Sequence, residues 1–161
     1  MSGKVIQTLR KSSLASMLSE AEMRMLASCG RIYEYLPEQN IFSGDGHDER
    51  LYLLRDGKVD LRLIVNTETG QCRGKVHVEL NTPGEPFGWA AWINSNHIGA
   101  SARALGVVSV AALDLAKLED TNIFFKLSLR MSQLLYARLQ EYGICPPNIQ
   151  ALLQMKHLLQ G

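Results

Sequence analysis

The segment from Pro83 to Leu105, PGEPFGWAAWINSNHIGASARAL, holds the chain's densest group of side chains able to grip a small molecule. Trp89 can offer a ring face to an aromatic or apolar ligand. His97 can supply a donor or a partial positive charge near neutral pH. Ser101 adds a hydroxyl and Arg103 a guanidinium. Each has a plainer reading. Trp89 and Trp92 can simply fill a β-sheet interior, His97 can be an exposed residue of the polar loop Asn94-Ser95-Asn96-His97, and Arg103 can serve structure. No Ser/His/Asp set, paired catalytic carboxylates or GKS/T phosphate loop accompanies them, so enzymatic chemistry is not expected. Cys29, Cys72 and Cys145 are widely spaced, as are His47, His77, His97 and His157. Without a C-x-x-C or a Cys/His cluster, neither a metal site nor a disulfide framework is expected, and the cysteines read as free thiols.

The bulk numbers narrow the class further. A chain of 161 residues supports one domain with flanking helices. Seventeen basic and 16 acidic residues give a net charge of +1, which argues against a broadly electrostatic nucleic-acid binder. The N-terminus carries no signal-peptide pattern and no window suits a bilayer span, so a cytoplasmic protein is expected.

Periodicity supplies the elements that must position this segment. Ser19-Glu20-Ala21-Glu22 fits a capping box, opening a short helix from Glu20 to Ser28. Leu9, Leu14, Met17 and Leu18 suggest another helical piece before it. From Ile32 the period becomes two. Short strands are expected at 32–35, 41–42 and 51–54, with Val59, Leu61, Leu63 and Val65 on a fourth. Val76, Val78 and Leu80 mark a fifth, joined to the fourth by a hairpin over 66–70. Ser43-Gly44-Asp45-Gly46 and Asp56-Gly57-Lys58 read as tight turns. Val107 to Leu113 is a last strand, after which Asp114 caps a turn. Leu127, Met131, Leu134, Leu135 and Leu139 then line one face of a long helix. Gly143 and Pro146-Pro147 end it, and Asn148 can cap a final helix. Strands at this spacing indicate an antiparallel sandwich or barrel.

Taken together, the segment resembles the phosphate-binding cassette of the cyclic nucleotide-binding domain family, of the catabolite-activator and protein-kinase-A regulatory type. That cassette reads PGE-x-FGE-(M/L)-(A/S)-L, a loop, then R-(S/T)-A-x-x-R-A. Pro83, Gly84, Glu85, Phe87, Gly88, Ala91, Ala100, Arg103, Ala104 and Leu105 keep its pattern. Phe42, Gly44, Asp45, Leu51, Tyr52, Leu54, Gly57 and Val59 match the family's preceding strand and turn positions. The resemblance implies a mainly β fold with flanking helices (α+β), an antiparallel β-barrel or jelly roll. Its N-terminal helical segment would span 1–30, the barrel 31–113 with the cassette at 83–105, and the C-terminal helices 114–161.

The family's ligand-gripping residues are replaced. Its ribose-binding glutamate is Trp89, its phosphate-binding arginine is Ile98, and the Ser/Thr after that is Gly99. The chain is similar to a degenerate branch reading FGW-(S/A)-A-L. Losing both charged contacts would cost about 4–6 kcal/mol, or three to four decades of affinity. The usual contacts to a cyclic nucleotide are therefore not expected. The resemblance still implies a short helix after Gly88, whose free amides can hold an anion. The candidate pocket is Phe87, Gly88, Trp89, Ala90, Ala91, His97, Ile98, Gly99, Ala100, Ser101 and Arg103, with no metal and an unidentified cofactor or ligand.

Two functions from different classes follow. One is a regulatory sensor domain taking a non-standard small anionic or aromatic ligand. The other is a ligand-free module for dimerisation or for a protein partner, with Leu127, Met131, Leu134, Leu135 and Leu139 as the dimer stripe. That stripe can equally cover its own barrel. Direct DNA binding is not expected, because roughly one helix of chain follows Gly143 and a helix-turn-helix needs two.

Overall fold

The computed structural model describes residues 2–43, 50–65, 74–88 and 98–141. Helix α1 (Ser2–Lys11) buries Val5 and Leu9. A 3₁₀ turn over Ser13–Met17 follows, opened by the Ser12 hydroxyl, which accepts the Leu14 N–H at 3.2 Å. Helix α2 spans Glu20–Ala27 and has the expected capping box. The Ser19 hydroxyl accepts the Glu22 N–H at 3.1 Å, and the Ser19 N–H donates to Glu22 Oε1 at 2.9 Å. Two amides that no helical carbonyl can reach are thus satisfied, a contribution of about 1 kcal/mol. The single helical piece expected before α2 is two pieces, α1 and the 3₁₀ turn.

Eight strands follow: β1 (Gly30–Tyr35), β2 (Asn40–Phe42), β3 (Arg50–Asp56), β4 (Val59–Val65), β5 (Gly74–Leu80), β6 (Pro86–Phe87), β7 (Ile98–Ala104) and β8 (Val108–Asp114). They form two four-stranded antiparallel sheets, ordered β1-β8-β3-β6 and β2-β7-β4-β5. The order crosses repeatedly between distant strands, as in a jelly roll. Both sheets feed one hydrophobic core.

Burial explains why each strand reads as it does. In β5, Val76, Val78 and Leu80 are buried while Lys75, His77 and Glu79 are exposed, because only one face meets the core. In β3 all of Leu51, Tyr52, Leu53 and Leu54 are buried. The reason is α1, which packs across β1, β3 and β8 and covers the second face of that sheet. Strand β8 buries Val110 through Leu113 for the same reason. Its boundary differs slightly from expectation, since Val107 stands in the turn, 65% exposed.

Strand β7 departs from the other strands in residue type. Its inward positions are small, with Ala102 and Ala104 buried and Ala100 partly so, between Ser101 and Arg103. An Ala/Ser/Arg alternation carries little hydrophobic contrast, so the period of two is muted there. The sequence reading placed this stretch inside the cassette without assigning it a strand.

After β8 the Asp114 carboxylate accepts the Ala116 N–H at 3.2 Å and opens a second 3₁₀ turn, Leu115–Lys117. Helix α3 runs from Thr121 to Glu141. Asp120 Oδ1 caps it, accepting the Asn122 and Ile123 amides at 2.9 and 3.1 Å. Ile123, Leu127, Met131 and Leu135 are all buried in the chain's own core, and Leu134 packs against it partly exposed. Of the two readings left open for the stripe, these burials support the one in which α3 covers its own sheets. The Leu139 side chain, the 66–70 hairpin, the Gly44 and Gly46 turn and the final helix after Pro147 lie outside the described residues.

Candidate ligand-binding site

The cassette begins in a turn that is bonded to β3 on both sides. The Gly84 N–H donates to the Leu54 carbonyl at 2.7 Å, and the Leu54 N–H donates to the Glu85 carbonyl at 3.0 Å. Gly84 has φ +92, and a Cβ there would stand 2.5 Å from the Lys11 carbonyl oxygen. The turn can therefore lie directly against the end of α1 only because residue 84 has no side chain.

Phe87 then enters a three-ring stack. Its ring centroid lies 5.4 Å from that of Tyr52 and 6.2 Å from that of Phe42, while Phe42 and Tyr52 are 5.3 Å apart. Such offset stacks add about 0.5–1.5 kcal/mol per pair beyond the area they bury. Gly88, at φ +94, lies over this wall, where a Cβ would fall 2.7 Å from Tyr52 Cδ2. The conserved look of the PGE-x-FG string thus has a local cause: two glycines pass close to backbone and ring, and one phenylalanine anchors the segment between them.

Above this floor lies a cavity of about 330 Å³. Leu61 and Leu63 of β4 and Ala100 of β7 form its inner wall, and Pro83 to Pro86 with Gly88 form one side. Helix α3 roofs it with Leu134, Leu135 and Arg138, and Lys11 and Ser13 border it from the N-terminal helices. The wall is apolar, and its described charges sit on Lys11, Glu85 and Arg138. Arg138 Nη2 donates to Glu85 Oε1 at 2.8 Å, each side chain 24% exposed.

At the other end of α3, Lys126 Nζ reaches both Glu22 carboxylate oxygens at 3.0 Å. The Ser19 amide first, and the Lys126 ammonium after it, hold the Glu22 carboxyl below the ordinary carboxylate range. A depressed folded-state value means stabilisation that is complete above that range and is lost as pH falls through and below it. Lys126→Gln is therefore expected to lose less stability across that window than the wild type does. Urea unfolding at stepped pH, followed by circular dichroism, measures it. Equal slopes would show that the pair carries no linkage.

The expected pocket residues divide into three groups. Gly88 and Ala100 line the cavity, and Phe87 supports it from the aromatic wall with no exposed surface. Ser101 and Arg103 fall on the opposite face of β7, in register with Arg62 and Asp60, because alternate strand residues point to opposite sides. Arg103 instead approaches Glu38, Nη1 to Oε2 at 3.4 Å. Ile98 and Gly99 pair with Val65 and Ile64 along the ladder, and their side chains lie outside the described residues. Trp89, Ala90, Ala91 and His97 also lie outside them.

Sequence reasoning missed Leu61, Leu63, Leu134 and Arg138 as lining residues. Arg138 had a findable signal, since it follows Leu135 by three positions and so shares the buried face of α3. Among the described residues, no helix is long and apolar enough to cross a membrane, and no three His, Cys, Asp or Glu side chains gather as metal ligands would.

No family model and no curated protein matches this chain. Solved structures do. The regulatory domain of Toxoplasma gondii protein kinase A with cAMP aligns with a TM-score of 0.61 at 18% identity, over 82% of this chain and 50% of that one. The regulatory subunit of a cAMP-independent protein kinase A from Trypanosoma cruzi, bound to guanosine, gives 0.59 at 22% identity, over 90% and 52%. A mutant of the corresponding Trypanosoma brucei subunit, bound to cAMP in its A site, gives 0.54 at 25% identity, over 70% and 40%. The two-sheet jelly roll with its flanking helices is therefore the fold of the cyclic nucleotide-binding regulatory domains. This chain spans about half the length of the Toxoplasma and Trypanosoma cruzi proteins.

Proposed function

We propose that this chain is a non-enzymatic regulatory domain that senses a small molecule in the cavity beneath α3. The ligand we assign is a nucleoside-like aromatic molecule of low charge, in place of a cyclic nucleotide held by its phosphate. The cavity itself carries this reading. Its volume of about 330 Å³ falls at the small end of ligand pockets, and its inner wall of Leu61, Leu63, Ala100 and Leu135 suits an aromatic ring. The chain also has Ile98 where the family's phosphate-binding arginine belongs. A neighbour of the same fold binds guanosine, a nucleoside without phosphate.

Thermal unfolding with guanosine and with cAMP in parallel tests it. Ligand at about a hundred times its dissociation constant stabilises by about 2.7 kcal/mol, an easily read shift. Guanosine is expected to raise the melting temperature and cAMP to leave it unchanged at equal concentration. A shift with micromolar cAMP overturns the assignment.

A second reading, a ligand-free interaction module, is supported by Phe124 and Phe125, which are 38% and 51% exposed on α3. It is the one to adopt if neither compound shifts the transition at millimolar concentration and sedimentation shows self-association or a partner.

A further inference from the structure

Helix α3 is fastened to the body by different forces along its length. Its first half is held by the Asp120 cap, by Lys126 on Glu22, and by the buried side chains of Ile123, Leu127 and Met131. Leu135 is the last of that buried series. Beyond it, the described side chains of Ala137, Gln140 and Glu141 are exposed, and Arg138 alone is partly buried. Its partner Glu85 belongs to the turn that is hydrogen-bonded to β3 through both Gly84 and Glu85. One end of this ion pair is thus rigid, while the other sits on a helix end with little apolar hold.

We infer that Glu85 and Arg138 form a latch that keeps the last part of α3 closed over the cavity, using contacts the chain supplies itself. Opening would then require breaking one partly buried, charge-assisted bond and no core contact. The first half of the helix stays in place as the fixed side of the hinge. The latch also ties the roof to the start of the cassette, so a shift in either reaches the other. This inference stands whatever the cavity binds.

Amide hydrogen exchange on the full chain tests it. Glu85→Gln and Arg138→Gln are each expected to speed exchange at 137–141 by about tenfold, the scale of one hydrogen bond to a charged group. Exchange at 123–131 should stay at the wild-type rate, which separates a local opening from loss of stability. The charge-reversed pair, Glu85→Arg with Arg138→Glu, should recover at least half of the protection. Wild-type rates in both single variants would overturn the latch. So would acceleration spread evenly along α3, or a reversed pair that exchanges as fast as the single variants.

Discussion

Gly84→Ala is expected to lower the melting temperature by about 6–12 °C, corresponding to a loss of about 3 kcal/mol for a domain of this size. Two costs combine. A left-handed backbone costs an alanine about 1–2 kcal/mol. The new methyl would also meet the Lys11 carbonyl at 2.5 Å and the Ser12 nitrogen at 2.9 Å. Those are backbone atoms at the junction of α1 and the 3₁₀ turn, so no side-chain rotation relieves the contact. Relief must come from displacing the junction or from stretching the 2.7 Å bond between Gly84 and Leu54. Gly3→Ala is the matched control, because a Cβ there meets nothing within 4 Å and alanine is the better helix former. Thermal melts of the two variants decide the matter; a Gly84→Ala transition within 2 °C of wild type would refute the close-approach argument.

Leu127→Ala should cost about 3–5 kcal/mol, Leu135→Ala about 2–3 and Leu134→Ala about 1. The ranking comes from the surroundings of each side chain. Leu127 has no exposed surface and does not border the cavity. Leu135 is equally buried but faces the cavity, so its truncation removes fewer contacts and enlarges a space already present. Leu134 is only partly buried. Urea unfolding at two protein concentrations tests the ranking and its origin together. A midpoint independent of concentration shows that the stripe stabilises the single chain. A midpoint that rises with concentration transfers the contribution to an interface between copies.

Several elements were readable from the sequence because their causes are local. The Ser19–Glu22 box lies within four residues, and its side chains find each other as soon as the helix starts. Strands β4 and β5 repeat a strong contrast, Leu61 and Leu63 against Asp60 and Arg62, Val76 and Val78 against Lys75 and His77. Strand β7 was muted by its alanines. For the site, the cassette string located the floor at Phe87 and Gly88 but overreached at Ser101 and Arg103, where alternation in β7 turns both away. The Glu85–Arg138 pair joins positions 53 residues apart. No local pattern announces such a contact, because it exists only once two sheets and a helix have been assembled.

The aromatic wall beneath Gly88 has a further consequence for how such a domain changes its specificity. Phe42, Tyr52 and Phe87 draw on strands of both sheets, β2 from one and β3 and β6 from the other. Folding stability at this end of the molecule is therefore secured before the chain passes Gly88. Residues beyond that glycine can be exchanged without disturbing the wall. Sequence drift there is free to try new ligand chemistry on an unaltered scaffold, which makes recognition a replaceable part of the domain.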